Sequence, residues 1–306
     1  MADFEHIPVL REAVLHWLAP QPRETALDAT VGLGGHAAAM IPSLGPGGQL
    51  VGLDLDPSSL EAARGRLTPL GEQHEVTVTL RQGSFRDAAA TLESLGLAGV
   101  DRLLADLGVG SAQLDDPKRG LSFTTDGPLD MRFDPSAPTT AATLVNELPQ
   151  HELADLIYHY GEERLSRKIA RKIVEQRRDA PIESTGALAR LVRRAYGPAG
   201  RKSRIDPATR TFQALRIAVN GELEALEALL AAAPRLVNRG GRVVIISFHS
   251  LEDRRVKHAM QRWASEGLGR RLTRKPIMAD EAEIARNPRS RSAKLRGFEF
   301  GPTAEA

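Results

Sequence analysis

The first third of the chain alternates short apolar runs with longer segments of helical period. Thr25–Asp28, Leu50–Asp54, Val76–Leu80 and Arg102–Asp106 each run into an acid, a glycine or a polar turn, the pattern of a short buried strand. Between them, Pro57–Leu67 and Asp87–Leu95 carry the period of helices. Such alternation predicts a parallel sheet with helices on both faces. The rhythm stops near Val109. A polar, proline-containing loop over residues 111–138 leads into four helical segments, Thr139–Leu148, His151–Tyr160, Glu163–Arg178 and Ser184–Tyr196, with no strand pattern before Asp206. Phe212, Leu215, Val219, Leu223, Leu226 and Leu230 then recur at intervals of three and four, which predicts a single apolar helix face. After Gly240-Gly241 come a buried strand at Arg242–Ser247, a helix at Leu251–Ala264 and two further strands near Arg271–Lys275 and Ala293–Phe300. Ser250 and Asp253 have the spacing of a capping box at the start of that helix. The expected fold is an α/β, Rossmann-like sheet domain formed by residues 1–110 and 206–306, interrupted by an all-helical inserted domain at 111–205.

Composition narrows the chemistry. The chain has 306 residues, 42% hydrophobic and 26% charged, the mix of a globular protein. It contains no cysteine, which removes thiolate metal sites and cysteine nucleophiles. No apolar run approaches the roughly 20 residues of a membrane helix, and the amino end shows no signal pattern, so a cytoplasmic location is expected. The net charge of +2 conceals an asymmetry: residues 1–150 hold 10 Lys+Arg against 20 Asp+Glu, leaving 31 against 19 for the rest. A basic half of this kind suits a polyanionic partner.

The first strand runs into Asp28-Ala-Thr-Val-Gly-Leu-Gly34-Gly35-His36, and the second ends in Gly52-Leu-Asp54. Glycines there allow a sharp strand-to-helix turn, and an acid at the end of the second strand can accept both ribose hydroxyls of an adenosine. The glycine spacing also satisfies a loose dinucleotide fingerprint, which keeps an NAD-dependent oxidoreductase open. Asp28, at the end of the first strand, suits the ammonium and amino-acid end of S-adenosylmethionine, and Asp106 ends the fourth strand, where methyltransferases commonly place the methyl acceptor; so many carboxylates would serve a pyrophosphate poorly. Phe85, after the third strand, either flanks an adenine or belongs to the core.

The residues resemble the RsmH (MraW) family over nearly the whole chain. The matching segments are His6-Ile-Pro-Val-Leu, Asp28–His36, Asp106-Leu-Gly-Val-Gly-Ser-Ala-Gln113-Leu-Asp, Arg119-Gly-Leu-Ser-Phe, Gly127-Pro-Leu-Asp-Met-Arg and Tyr160-Gly-Glu-Glu-Arg. Ala208–Ile217, Ser247-Phe-His-Ser-Leu-Glu-Asp and Asn287-Pro-Arg-Ser-Arg-Ser-Ala-Lys continue the match. The resemblance implies a class I methyltransferase sheet, S-adenosylmethionine as cofactor, and methylation of a cytidine N4 in the decoding centre of 16S ribosomal RNA within the small subunit. It implies cofactor contacts from Gly34, Gly35, His36, Asp54, Phe85, Asp106 and Gln113. Where the family has Ser-Ser-Pro, this chain has Gly110-Ser111-Ala112, a change that loosens the loop carrying Gln113.

Exocyclic-amine methylation needs alignment and an acceptor for the released proton, with no covalent intermediate. Asp106 is the expected acceptor. Phe248 is expected to stack on the base and His249 either to hold its edge or to make a structural hydrogen bond. No metal is required by the sequence. Basic clusters at Arg164–Arg178, Arg190–Arg194, residues 197–204 and Arg286–Arg296 are expected to meet phosphates. A small-subunit assembly factor without turnover is the non-enzymatic alternative, and a homodimer is left open.

Overall fold

The computed structural model describes residues 8–197 and 205–301. His6 and Ile7 of the first matching segment, and residues 198–204 of the basic loop, lie outside the described residues.

From the amino end, α1 (Arg11–Leu18) precedes β1 (Thr25–Asp28). α2 (Gly35–Leu44), α3 (Pro57–His74) and α4 (Ala88–Ser94) alternate with β2 (Gln49–Asp54), β3 (Thr77–Gln82) and β4 (Val100–Asp106). The chain then passes through α5 (Ser111–Asp115), α6 (Ala141–Glu147), α7 (Gln150–Gly161), α8 (Ser166–Arg177), α9 (Thr185–Tyr196) and α10 (Ala208–Asn220). It returns by α11 (Glu222–Leu236) to β5 (Val237–Ser247), α12 (Ser250–Ser265), β6 (Gly269–Arg271), α13 (Glu281–Arg286) and β7 (Lys294–Phe300).

The seven strands form one sheet in the order β3-β2-β1-β4-β5-β7-β6. The first five are parallel, and β7 runs antiparallel to both β5 and β6. This is the α/β methyltransferase sheet that the strand pattern and the resemblance led us to expect. A register shift between Val100 and Arg102 lets β5 start earlier than the expected Arg242, so that Val237 already pairs with Val100.

Side chains alternate across the sheet and feed two cores. Leu27, Val51, Leu103, Val243, Ile245 and Phe298 enter one, with Leu92 of α4, Leu226 of α11 and Trp263 of α12. Ala26, Leu50, Leu104, Val244, Ile246 and Leu295 enter the other, with Val14 of α1, Met40 of α2 and Leu67 of α3. Strand parity therefore puts Asp28, Asp54, Asp106 and Phe248 on the second face, the one that α2 covers.

Two compact units emerge. One comprises Met1–Gly108 with Leu223–Ala306, the other Val109–Glu222. The second has its own core, built from Leu153, Ile157, Ile169, Ile173, Leu188, Val192, Phe212 and Leu215 among others. The sequence reading closed the insertion at residue 205, whereas α10 packs within this helical unit, chiefly on α7. The expected single helix over 212–230 is likewise two helices. Gly221 adopts the left-handed conformation (φ 59°) and caps α10. Arg216 then spans the break with a two-pronged ion pair to Glu222, at 2.8 and 2.9 Å. The apolar stripe keeps its period through the break while serving two cores: Phe212 and Leu215 belong to the helical unit, Leu226 and Leu230 to the sheet unit.

Several segments quoted for the resemblance prove to be packing devices of the helical unit. Arg119 donates to the carbonyls of Arg132 and Phe133, at 3.1 and 2.8 Å. Arg132 pairs with Asp130, and Asn220 of α10 grips the same loop through Met131 O and Phe133 N.

Candidate active site

The site is assembled at the carboxyl ends of β1, β2, β4 and β5, all in the sheet unit. A strand that ends in an acid and turns at once into a helix needs backbone few residues adopt. Gly34 supplies it: φ is +79° at the N-cap of α2, and a Cβ there would press on Leu67 at 3.0 Å. Gly35 opens the helix, and a Cβ at that position would overlap Pro8 at 2.6 Å. The glycines thus fix the turn that delivers His36, buried at 7% exposure, beneath the strand ends.

The strand-end acids differ in what holds them. Asp54 accepts from Gly32 N (2.9 Å) with one oxygen and from Asp56 N (2.9 Å) with the other. Burial raises its pKa, against the pull of those same bonds. Each oxygen keeps a second lone pair for a hydroxyl. Asp28 is 1% exposed; one oxygen accepts Thr30 N at 3.2 Å and the other has no partner. Burial pushes its pKa up to about 7, moderated by His36 and reinforced by the charges of Asp106 and Asp54. Asp106 is anchored through its backbone, its N–H donating to Thr30 Oγ at 2.7 Å. Its Oδ2 lies 3.5 Å from His36 Nε2, and its Oδ1 is buried without a partner.

Neither ring nitrogen of His36 makes a hydrogen bond. Asp28 Oδ2, Asp106 Oδ1 and both His36 nitrogens are therefore buried polar atoms without a hydrogen bond, although His36 Nε2 has Asp106 Oδ2 at ion-pair distance. Each costs about 1–3 kcal/mol when left so in a protein interior. Interiors keep such groups where something outside the chain completes them. Two carboxylate acceptors beside an imidazole suit a ligand with a cationic head, and Asp54 at the end of β2 suits a ribose. The residues present fit S-adenosylmethionine, which carries both.

Phe85 opens the turn after β3, half-buried against the core that α4, α11 and α12 cover. Phe248 follows β5 and lies against Gly108, where a Cβ would meet its ring carbons at 2.9 Å. Gly108 stands two residues past Asp106 in the chain, and Asp106 pairs in register with Ile246, two residues before Phe248. His249 does something the spacing of Ser250 and Asp253 concealed. It is itself the N-cap of α12, its ring accepting from Glu252 N at 3.4 Å, while Glu252 bonds back to His249 N at 3.2 Å. Its Nε2 stands 3.1 Å from Glu252 Oε1. Asp253 is engaged elsewhere, bound by Arg296 at 2.7 Å and Lys294 at 3.6 Å. Gln113 falls in α5, in the helical unit, with its carboxamide oxygen accepting from Gly110 N at 3.2 Å. Thr30 went unnoticed in the sequence, although Asp-Ala-Thr placed a hydroxyl two residues past the strand-end acid.

The basic clusters separate into tied and untied residues. Arg177 donates to Val145 O and Leu148 O at 2.7 and 2.8 Å, closing the end of α6. Arg193 pairs with Asp206 at 2.8 Å and lies over Phe123, and Glu175 neutralises Lys172 at 2.9 Å. Among the described residues Arg164, Arg167, Lys168, Arg190 and Arg194 are exposed with no acidic partner. Arg296 and Lys294 share Asp253.

A family profile described as "MraW methylase family" matches residues 3–301. A protein of Acidobacterium capsulatum named "Ribosomal RNA small subunit methyltransferase H" is 50% identical over 297 residues, covering 96% of this chain and 98% of that one. One of the same name from Sorangium cellulosum is 49% identical, covering 99% and 93%. A solved SAM-dependent O-methyltransferase from Thermotoga maritima aligns over 97% of this chain and 66% of its own, with a TM-score of 0.40 and 10% identity. That likeness is too loose to bear on residues.

Proposed function

The chain belongs to the MraW methylase family, and from that membership we propose that it methylates the exocyclic N4 of a cytidine in the decoding centre of 16S ribosomal RNA. At the coarser level it is an S-adenosylmethionine-dependent methyltransferase of small-subunit ribosomal RNA. The observation that carries the finer reading is Asp106: a carboxylate at the end of β4, anchored by Thr30, with one buried oxygen left unpartnered and the Phe248 ring nearby.

The cofactor supplies an activated methyl on a sulfonium. Asp54 would hold its ribose, the turn at Gly34 and Gly35 would let it approach the backbone, and Phe85 would flank its adenine. The amine of cytosine is a weak nucleophile because its lone pair is delocalised into the ring. Asp106 accepts an amine hydrogen, which localises the lone pair, and takes the proton as it leaves. Phe248 stacks on the flipped base and keeps water from the amine. His249, held at the cap of α12, presents its ring edge to the base. With no cysteine in the chain, addition to the cytosine ring is closed to it, and direct transfer is the route left. In this reading Arg164, Arg167, Lys168, Arg190 and Arg194 of the helical unit hold RNA phosphates.

The substrate class is tested by incubating the protein with radiolabelled S-adenosylmethionine and small subunits from a strain lacking this enzyme. Label is expected in small-subunit RNA and in neither large subunits nor DNA. Label entering large-subunit RNA or DNA instead would contradict the reading.

A further inference from the structure

In a capping box the third residue of the helix returns one acceptor to the backbone N–H of the cap. Glu252 does so for His249 at 3.2 Å, yet the same oxygen takes a shorter bond, 2.8 Å, from Phe248 N, which stands before the cap. The bond to His249 is the cap's own; the helix has no use for the bond to Phe248. The ladder of β5 has ended at Ser247, paired with Lys294, so the N–H of Phe248 lies beyond the sheet. Glu252 is 3% exposed, whereas the adjacent Asp253 takes the cations Arg296 and Lys294. A buried carboxylate is thus given over to the backbone of the turn that carries Phe248. From the other side, the Phe248 ring lies on Gly108, where a Cβ would meet its carbons at 2.9 Å. Phe248 is therefore held at both its backbone and its ring.

We propose that Glu252 is a positioning residue for methyl transfer: its buried carboxylate fixes the backbone at Phe248 and thereby the place of the ring on which the target base stacks. This rests on the reading above in which Phe248 stacks on that base. Charge-assisted bonds to two consecutive N–H groups hold the turn, and the absence of a side chain at Gly108 leaves the ring its seat. The ring is then set before RNA arrives, so that a base stacked on it is already aligned with the methyl donor. A misplacement of about 1 Å in such alignment costs up to about a hundredfold in rate. Glu252 acts through Phe248 and not on the base itself, so its loss is expected to appear in kcat and to leave cofactor binding alone.

Steady-state methyl transfer by the full chain to unmodified small subunits, with a double-mutant cycle between positions 252 and 248, tests this. Glu252→Ala is expected to lower kcat about ten- to a hundredfold, while KM for S-adenosylmethionine changes less than about twofold. Glu252→Gln keeps an oxygen acceptor at the same reach and is expected to stay within about threefold of the wild-type kcat. In a Phe248→Ala background, itself expected to be slow, Glu252→Ala is expected to add less than about a further twofold, because the ring it positions is gone. A residue that merely holds the fold multiplies its own loss onto that of Phe248→Ala. Wild-type kcat in Glu252→Ala, or fully multiplicative losses in the double variant, overturns the proposal. If Phe248→Ala turns over normally, the stacking reading fails and the proposal with it; a slow Phe248→Ala beside a fast Glu252→Ala overturns the proposal alone. A thermal transition verifies folding. If Glu252→Ala is unfolded, Glu252→Asp, which keeps the charge but withdraws it by one methylene, takes its place in the cycle with the same expectations.

Discussion

A carboxyl group taken out of water keeps its proton unless a donor or a cation repays the lost solvation, and the strand-end acids of this site divide along that line. Asp54 is given two backbone N–H groups, and Asp28 only one. The folded pKa of Asp28, about 7, lies above that of an unfolded aspartate near 3.8. Its contribution to stability is therefore complete below about pH 4 and lost as pH rises through about 7. Asp28→Asn removes the buried acid without changing its shape, so the free protein should gain stability at pH 8, on the order of 1–4 kcal/mol, and little at pH 4. Urea unfolding at the two pH values measures this; equal effects at both would contradict it. Asp106→Asn keeps the Thr30 anchor, which runs through the backbone, and removes the proton acceptor. Turnover should fall at least about a hundredfold. His249→Ala should cost roughly 0.5–1 kcal/mol by uncapping α12. His249→Asn should restore stability and leave turnover low, and a fully active His249→Asn would reduce His249 to a cap. Strand ends and glycines announced Asp54, Asp106 and the turn at Gly34, because backbone requirements leave marks on sequence. The cap of α12 left a misleading one, since Ser250 outranks histidine as a capping residue and only the φ of 249 decides between them.

At the scale of elements, hydrophobic period located the strands and the longer helices of the insertion but passed over α1, α2, α5 and α13, and it misled where one stripe served two purposes. From Phe212 to Leu230 the three- and four-residue spacing runs on without a break, because each of the two helices needs an apolar face of its own. Period carries no information about the left-handed Gly221 that separates them. Gly221→Ala should destabilise by about 1 kcal/mol or more, read as a lower urea midpoint. An unchanged midpoint would mean that α10 and α11 join without that conformation. Charge counting failed similarly on α8, where a basic run looks uniform but its members differ. Arg177→Ala should lower stability, because it releases the carbonyls of Val145 and Leu148. The pair Arg167→Ala and Lys168→Ala should leave stability unchanged and weaken RNA binding, reducing the salt dependence by about one to two charges.

At the scale of the whole molecule, the acidic excess of the first half and the basic excess of the second fall on different tasks. Three acids of the first half, Asp28, Asp54 and Asp106, end strands of the sheet unit, where the proposed function puts the cofactor. Arg164, Arg167, Lys168, Arg190 and Arg194, the residues proposed to meet phosphates, lie on or beside helices of an insertion that has its own core. No helix among the described residues is long and apolar enough to cross a membrane. The absence of cysteine and the unpartnered carboxylate oxygen of Asp106 are what the proposed transfer to a nitrogen, rather than to a ring carbon, rests on. The decisive measurement is nucleoside mass spectrometry of 16S ribosomal RNA after the purified protein has acted on unmodified small subunits. The expected product is N4-methylcytidine at a single decoding-centre position, absent with Asp106→Asn. A 5-methylcytidine or a ribose-methylated nucleoside in its place would contradict both the acceptor and the role assigned to Asp106.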